Sequence, residues 1–225
     1  MPNIEYTSLH VTGHANGTVA NRFLKQVDKA RALAVIFPGL NYTCDNPLLY
    51  YITRLAIERS ADVLQLWANY TLPQFQSLSK PDQVKWLLED AKSLIEAGQN
   101  QRRYEHLILV GKSIGTLTLA ALFEPGKELA NTPAIWLTPL FHQPLVLNSA
   151  LGASGRALFA VGTADPTYAA EAFKRVQSLS TAQVVILPGA DHGLEIPGDT
   201  PGTLDALKKV LAAAAAFLDD SILGG

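Results

Sequence analysis

Cysteine is almost missing: Cys44 stands alone among 225 residues, which excludes an internal disulfide and any cysteine-based zinc site. Charge is scarce too. Lys, Arg, Asp and Glu make up 17% of the chain, against about 25% in an average globular protein. Eighteen basic residues nearly cancel 20 acidic ones, for a net charge of −2, and no basic block is longer than a pair. Nucleic-acid binding through phosphate neutralisation is therefore not expected. No apolar run is long; the longest, ending at Leu218, falls well short of the ~20 residues of a membrane span. The chain opens without a basic segment followed by an apolar stretch, so neither secretion nor a membrane partner is expected and a cytoplasmic location is. With 48% hydrophobic residues, long disorder is excluded. A chain of this length buries roughly 70% of its unfolded surface and needs no staple to hold a core.

What the sequence does have is a regular alternation of strand and helix. Ile4 to Val11 alternates weakly, and Asn16-Gly17 signals a hairpin turn into a second strand near Thr18 to Phe23. The apolar run 33–37 ends at Pro38-Gly39 and reads as a strand buried on both faces. Helical spacing follows over 47–59, then a strand over 63–67. A helix over 80–97 opens on a Ser79-x-x-Asp82 cap and stops at Gly98. Strands over 107–110, 134–137, 157–161 and 184–187 then alternate with helices over 114–123, 143–151, 168–179 and 203–218. A hairpin followed by strand–helix units predicts an α/β fold: a mostly parallel sheet with an antiparallel N-terminal hairpin and helices on both faces. No linker divides the chain, so one domain over 1–225 is expected.

Ligand sites in such sheets lie beyond the carboxyl ends of the strands, so the residues directly after each strand are the candidates. After strand 107–110 comes Gly111-Lys112-Ser113-Ile114-Gly115, then a helix. At that spacing a serine is held on a sharp strand-to-helix turn with its hydroxyl in the cleft, and the glycines let neighbouring chain pass close by. The helix presents its amide end, with its positive dipole end, to the same place. A glycine-rich turn kept only for packing is the plainer alternative. A phosphate loop fails, because Gly-x4-Gly-Lys-Ser would need glycine where His106 stands.

Strand 157–161 runs into Gly162-Thr163-Ala164-Asp165-Pro166, and strand 184–187 into Pro188-Gly189-Ala190-Asp191-His192-Gly193. Alone, Asp165 before proline reads as a turn residue and His192 as a loop histidine. Asp191 competes for the acid role, although adjacent side chains in an extended loop point apart. His10 and His14 belong to the opening hairpin, and His106 lies at the far end of its strand. Serine, acid and histidine thus occur in that order, each just past a strand.

At this point the sequence resembles the α/β-hydrolase superfamily, whose chain order is Ser…Asp…His, and within it the small, lidless dienelactone-hydrolase-like proteins. The resemblance spans nearly the whole chain. It implies an α/β-hydrolase fold without a sizeable cap, since only about twenty residues separate the strands at 137 and 157. It also implies a serine hydrolase acting on small or soluble carboxylic esters or thioesters through an acyl-enzyme, with Ser113 as nucleophile, His192 as base and Asp165 as its orienting acid. Amide hydrolysis and acyl transfer to another acceptor are its enzymatic neighbours. The oxyanion would be held by the backbone N–H of Ile114 and, by the same resemblance, of Leu40, with Asn41 one residue along. The loop 37–42 lacks a His-Gly-Gly-Gly signature, and Cys44 does not stand at the nucleophile position, so the lactone substrate of dienelactone hydrolases is not implied. Asn41, Tyr42, Tyr70, Phe141, His142 and Leu194 are the pocket candidates, and Trp67 is assigned to the core. No metal or organic cofactor is required. The sequence leaves the oligomeric state and acyl length open, and the alternative from another class is a non-catalytic binding or scaffold protein on the same fold.

Overall fold

The computed structural model describes residues 3–123 and 128–224. Eight strands form one sheet in the order β1-β2-β4-β3-β5-β6-β7-β8. They are β1 (Ile4–Thr7), β2 (Asn21–Gln26), β3 (Ala32–Phe37), β4 (Ala61–Leu66), β5 (His106–Lys112), β6 (Ala134–Leu137), β7 (Ala157–Gly162) and β8 (Ala182–Leu187). β1 pairs antiparallel with β2, and β2 antiparallel with β4; every other pairing is parallel. The helices are α1 (Pro47–Glu58), α2 (Pro73–Gln76), α3 (Lys80–Gln99), α4 (Ile114–Leu122), α5 (Pro144–Gly152), α6 (Ala170–Gln177) and α7 (Thr200–Ile222).

The central strands are apolar throughout because both faces are covered. In β3, Leu33, Val35 and Phe37 join the cluster under α3, α4, α5 and α6, while Ala32, Ala34 and Ile36 join the one under α1 and α7. That is the period-two alternation of a strand with no polar face. Each of the larger side chains among them contributes roughly 1.5–3 kcal/mol relative to leaving it exposed, and each alanine methyl about 0.8 kcal/mol. α4 is almost wholly buried, and Thr116 and Thr118 are its only polar side chains. Parallel strands place all their carboxyl ends on one edge, and the loops after β3, β5, β6, β7 and β8 meet there.

Two local expectations are corrected. The opening hairpin does turn here, but over residues 13–17 and centred one residue before Asn16-Gly17, with Thr12 and Thr18 bridged antiparallel and Val19 N–H donating to the Val11 carbonyl. Residues 8–20 lie between β1 and β2, and the positive φ angles fall on Ala15 (49°) and Asn16 (60°) rather than on Gly17. Longer-range anchors set this loop. The buried Asn21 carboxamide accepts from Leu9 N–H and donates to the Leu9 and Val19 carbonyls, and His14 stacks on Trp86 of α3 with ring centroids 4.5 Å apart. Gly98 does not stop α3, which ends one residue later. It is there for closeness, since a Cβ at Gly98 would lie 2.8 Å from Leu64 and 2.9 Å from Leu33. The Ser79 cap forms as its spacing predicts, accepting from Asp82 N–H.

Candidate active site

β5 ends at Lys112 and α4 begins at Ile114, so Ser113 alone makes the corner, at φ 53° and ψ −115°. An L-residue at positive φ is strained, and the surroundings hold it there. Ser113 N–H donates to the Leu137 carbonyl at 3.0 Å, and the Ser113 carbonyl accepts from Thr116 N–H at 2.8 Å and Thr116 Oγ1 at 2.6 Å. The flanking glycines are sterically required. A Cβ on Gly111 would lie 2.5 Å from the Gly115 carbonyl oxygen, and one on Gly115 would lie 2.0 Å from the Phe37 carbonyl oxygen. The spacing of Gly-Lys-Ser-Ile-Gly is thus a packing condition on β3, β5 and α4 at their point of closest approach.

The loops after β7 and β8 bring Asp165 and His192 to this corner. His192 Nδ1 donates to Asp165 Oδ2 at 2.7 Å, and His192 Nε2 accepts from Ser113 Oγ at 2.9 Å. The tautomer follows from chemistry, because a carboxylate only accepts and Nδ1 must carry the proton. Asp165 Oδ1 accepts from the backbone N–H and hydroxyl of Thr167, at 2.7 and 2.8 Å. Burial raises the Asp165 pKa, but the hydrogen bonds from His192 and Thr167, together with the His192 charge, outweigh it and hold the carboxyl below its ordinary range. Asp191 does other work: its Oδ1 accepts from Gly193 and Glu195 N–H and folds the turn that carries His192.

A carboxyl lowered in the folded state contributes stability that is full above its unfolded value near pH 4 and is lost as pH falls through the folded value. The difference in denaturant midpoint between wild type and Asp165→Asn should therefore shrink as pH drops from about 6 towards 3. A difference independent of pH across that range would contradict the assignment of the lowered carboxyl to Asp165.

The loop after β3 closes against the serine. Gly39 and Tyr42 exchange backbone hydrogen bonds at 3.1 and 3.4 Å, leaving Leu40 and Asn41 exposed at the tip. A Cβ at Gly39 would lie 3.6 Å from Ser113 Cβ, so the tip borders the hydroxyl. Among the described residues, no acceptor meets the N–H of Leu40 or of Ile114. A cavity of about 170 Å³ opens beside this tip, between Pro38, Gly39, Leu40 and Thr43 on one side and Leu66, Trp67, Ala68 and Asn69 on the other.

The other pocket candidates divide. Tyr42 is half-buried beside the serine corner, its hydroxyl accepting from Leu48 N–H at 3.2 Å. Tyr70 is not in the cleft: its hydroxyl donates to buried Asp90 of α3 at 2.8 Å, and its ring packs on Phe75. Phe141 is core, its ring 4.8 Å from Phe173. Leu194 is turned into the cluster under α7, and His142 is exposed at the start of α5. Trp67 packs against the core cluster under α1 and α7, as expected, and also forms a wall of the cavity, with the Arg22 guanidinium 3.4 Å above its ring. Cys44 is buried, and its thiol is pushed up to about 12 by burial and by Asp45, with Arg22 opposing. It is no nucleophile at neutral pH. Lys112, within the serine motif, is a contact the sequence reading missed. Its Nζ donates to the His192 carbonyl at 2.7 Å and to Thr138 Oγ1 at 3.2 Å. Nothing in a lone motif lysine announces main-chain partners so distant in sequence.

Among the described residues, no helix is long and apolar enough to cross a membrane. No family model and no curated protein matches the sequence. Solved structures do match the fold along nearly its whole length. A lidless α/β serine hydrolase from Xanthomonas campestris is similar at TM-score 0.70 and 17% identity, covering 97% of this chain and 95% of its own. Carboxyl esterase 2 from the mycorrhizal fungus Tuber melanosporum is similar at TM-score 0.71 and 14% identity, with 98% and 88% covered. An α/β serine hydrolase homologue from Coxiella burnetii is similar at TM-score 0.68 and 14% identity, with 96% and 97% covered. The fold of this chain is the α/β-hydrolase fold, in its form without a cap.

Proposed function

We propose that this chain is a serine hydrolase that cleaves small or soluble carboxylic esters or thioesters through an acyl-enzyme on Ser113. The observation that carries this reading is the unbroken hydrogen-bonded row from Asp165 through His192 to Ser113, at 2.7 and 2.9 Å, on three loops at one sheet edge. As Ser113 Oγ attacks a carbonyl carbon, its proton passes to His192 Nε2, and Asp165 stabilises the imidazolium without taking a proton. The imidazolium then protonates the leaving alkoxide or thiolate. Water, deprotonated by the same nitrogen, releases the acid and restores Ser113.

The tetrahedral oxyanion needs donors fixed in place before the reaction. The amides of Ile114 and Leu40 fit, being without acceptors among the described residues and flanking the serine on two sides. The N-terminus of α4 adds its dipole. Replacing the Leu40 amide by a backbone ester removes one N–H and leaves every side chain in place. Turnover should fall about 10²- to 10³-fold with little change in KM, whereas unchanged turnover would remove Leu40 from the oxyanion site.

Only α5 lies between β6 and β7, so the serine is open to solvent-borne substrates. The cavity walled by Trp67 and Asn69 has room for a short acyl or alcohol group. The test is a panel of p-nitrophenyl esters and thioesters of rising chain length, with the matching anilides as controls. Turnover of short esters or thioesters that vanishes in Ser113→Ala supports the reading. No turnover of any member by folded protein would favour a non-catalytic binding protein.

A further inference from the structure

We propose that Lys112 is a positioning residue for this reaction: its buried ammonium clamps the main chain of His192 to the loop ends at Thr138 and Tyr42, and so keeps the imidazole against Ser113 Oγ. The proposal rests on the serine-hydrolase reading of the same site. Lys112 is 1% exposed, and lysine is almost never fully buried unless its charge is met. Here it is met in an unusual way. Nζ donates to the His192 carbonyl at 2.7 Å and to Thr138 Oγ1 at 3.2 Å, and lies 4.4 Å from the centroid of the Tyr42 ring. These are a carbonyl, a hydroxyl and a ring face, one each from the loops after β8, β6 and β3.

Packing alone does not ask for this arrangement. A methionine would fill the same volume without the cost of desolvating an ammonium. What the ammonium adds is a charge-assisted tie from the residue next to the nucleophile to the main chain of the base. His192 sits on a half-buried turn that Asp191 folds from within, and the tie from Lys112 joins the main chain of that turn to β5 beside the nucleophile. Thr138 itself is held at φ 45°, so the tie converges on a second strained corner. Tyr42 closes the turn whose tip is Leu40, so the same ammonium borders both the base and the proposed oxyanion donor.

The clamp has a pH signature. Burial lowers the Lys112 pKa to about 8, with Asp165, Asp191 and Glu195 pulling it back up. These carboxylates come from the loops after β7 and β8, and the loop after β3 contributes the neutral Tyr42. Below about 8 the ammonium is charged and the tie is strong; above it the amine is neutral and the tie weakens.

The test compares wild type with Lys112→Met and Lys112→Gln by the rate at which a fluorophosphonate modifies Ser113 from pH 6 to 10, and by the downfield proton resonance of the His192–Asp165 hydrogen bond. In Lys112→Met, modification at neutral pH should slow about 10- to 100-fold, kcat should fall with KM little changed, and the downfield proton should broaden or vanish. The wild-type rate should decline above about pH 8, and that limb should be missing from the variant. Lys112→Gln, which keeps a neutral donor, should fall between the two. Variants that match wild type in rate, pH profile and proton resonance would overturn the proposal. If Lys112→Met does not fold, Lys112→Gln and the wild-type profile decide it, and a wild-type rate that stays level through pH 8 overturns it. Failure of the hydrolase reading shows differently: wild type itself forms no adduct, while the proton resonance still reports whether Lys112 fixes the ring.

Discussion

Ser113→Ala and His192→Ala are each expected to lower ester turnover by about 10⁴- to 10⁶-fold, and the double variant to be hardly worse than either. The reason is geometric. With Ser113 Oγ donating to Nε2 at 2.9 Å and Nδ1 donating to Asp165 at 2.7 Å, nucleophile and base act as one unit, and removing either leaves only oxyanion stabilisation and binding. Ser113 and His192 are both only half-buried, so truncating either leaves the core packed and both variants should fold, His192→Ala less stably because buried Asp165 loses a hydrogen bond. A steady-state assay on an ester turned over by wild type, with melting temperatures as controls, measures the effect. Losses that multiply in the double variant would mean that the two residues act independently, against the mechanism.

Gly115→Ala is expected to lower the melting temperature by roughly 6–12 °C, from a destabilisation of about 3 kcal/mol in a chain of this size. The added Cβ would start 2.0 Å from the Phe37 carbonyl oxygen and 2.8 Å from its carbon. Neither atom is the free end of a side chain, so β3 and α4 must separate. The same displacement moves Ser113 relative to Leu40, because Phe37 leads directly into the loop at Pro38-Gly39-Leu40. Folded variant should therefore also lose turnover. Gly152→Ala is the control: a Cβ there meets nothing within 4 Å, so its stability should stay within about 0.5 kcal/mol of wild type. Equal melting temperatures for the two variants would remove the close approach from the account of the motif.

The sheet was legible in the sequence because its signals are local. Buried strands read as continuous apolar runs, each ended by glycine, proline or a cap, and their order follows from short connections. The serine corner was legible for the same reason, since its glycines answer to contacts repeated wherever a strand turns sharply into a helix. Misreadings arose where a distant partner decides. Tyr70 follows β4 as a cleft residue would, but Asp90, on α3, takes its hydroxyl. Phe141 follows β6 in the same way, yet meets Phe159 and Phe173 from β7 and α6. The Asn16-Gly17 pair marks a turn that does form, shifted by one residue so that Ala15 and Asn16 take the positive φ angles, where His14 is held by Asp90 and Trp86. Lys112 is the extreme case, because its main acceptor is a main-chain carbonyl, which leaves no residue type to recognise.

The most direct test of the central claim is the intact mass of the purified, folded protein after treatment with a fluorophosphonate at neutral pH. The account predicts a single adduct that maps to Ser113 and is absent from Ser113→Ala. No adduct, or an adduct that persists in Ser113→Ala, would contradict it.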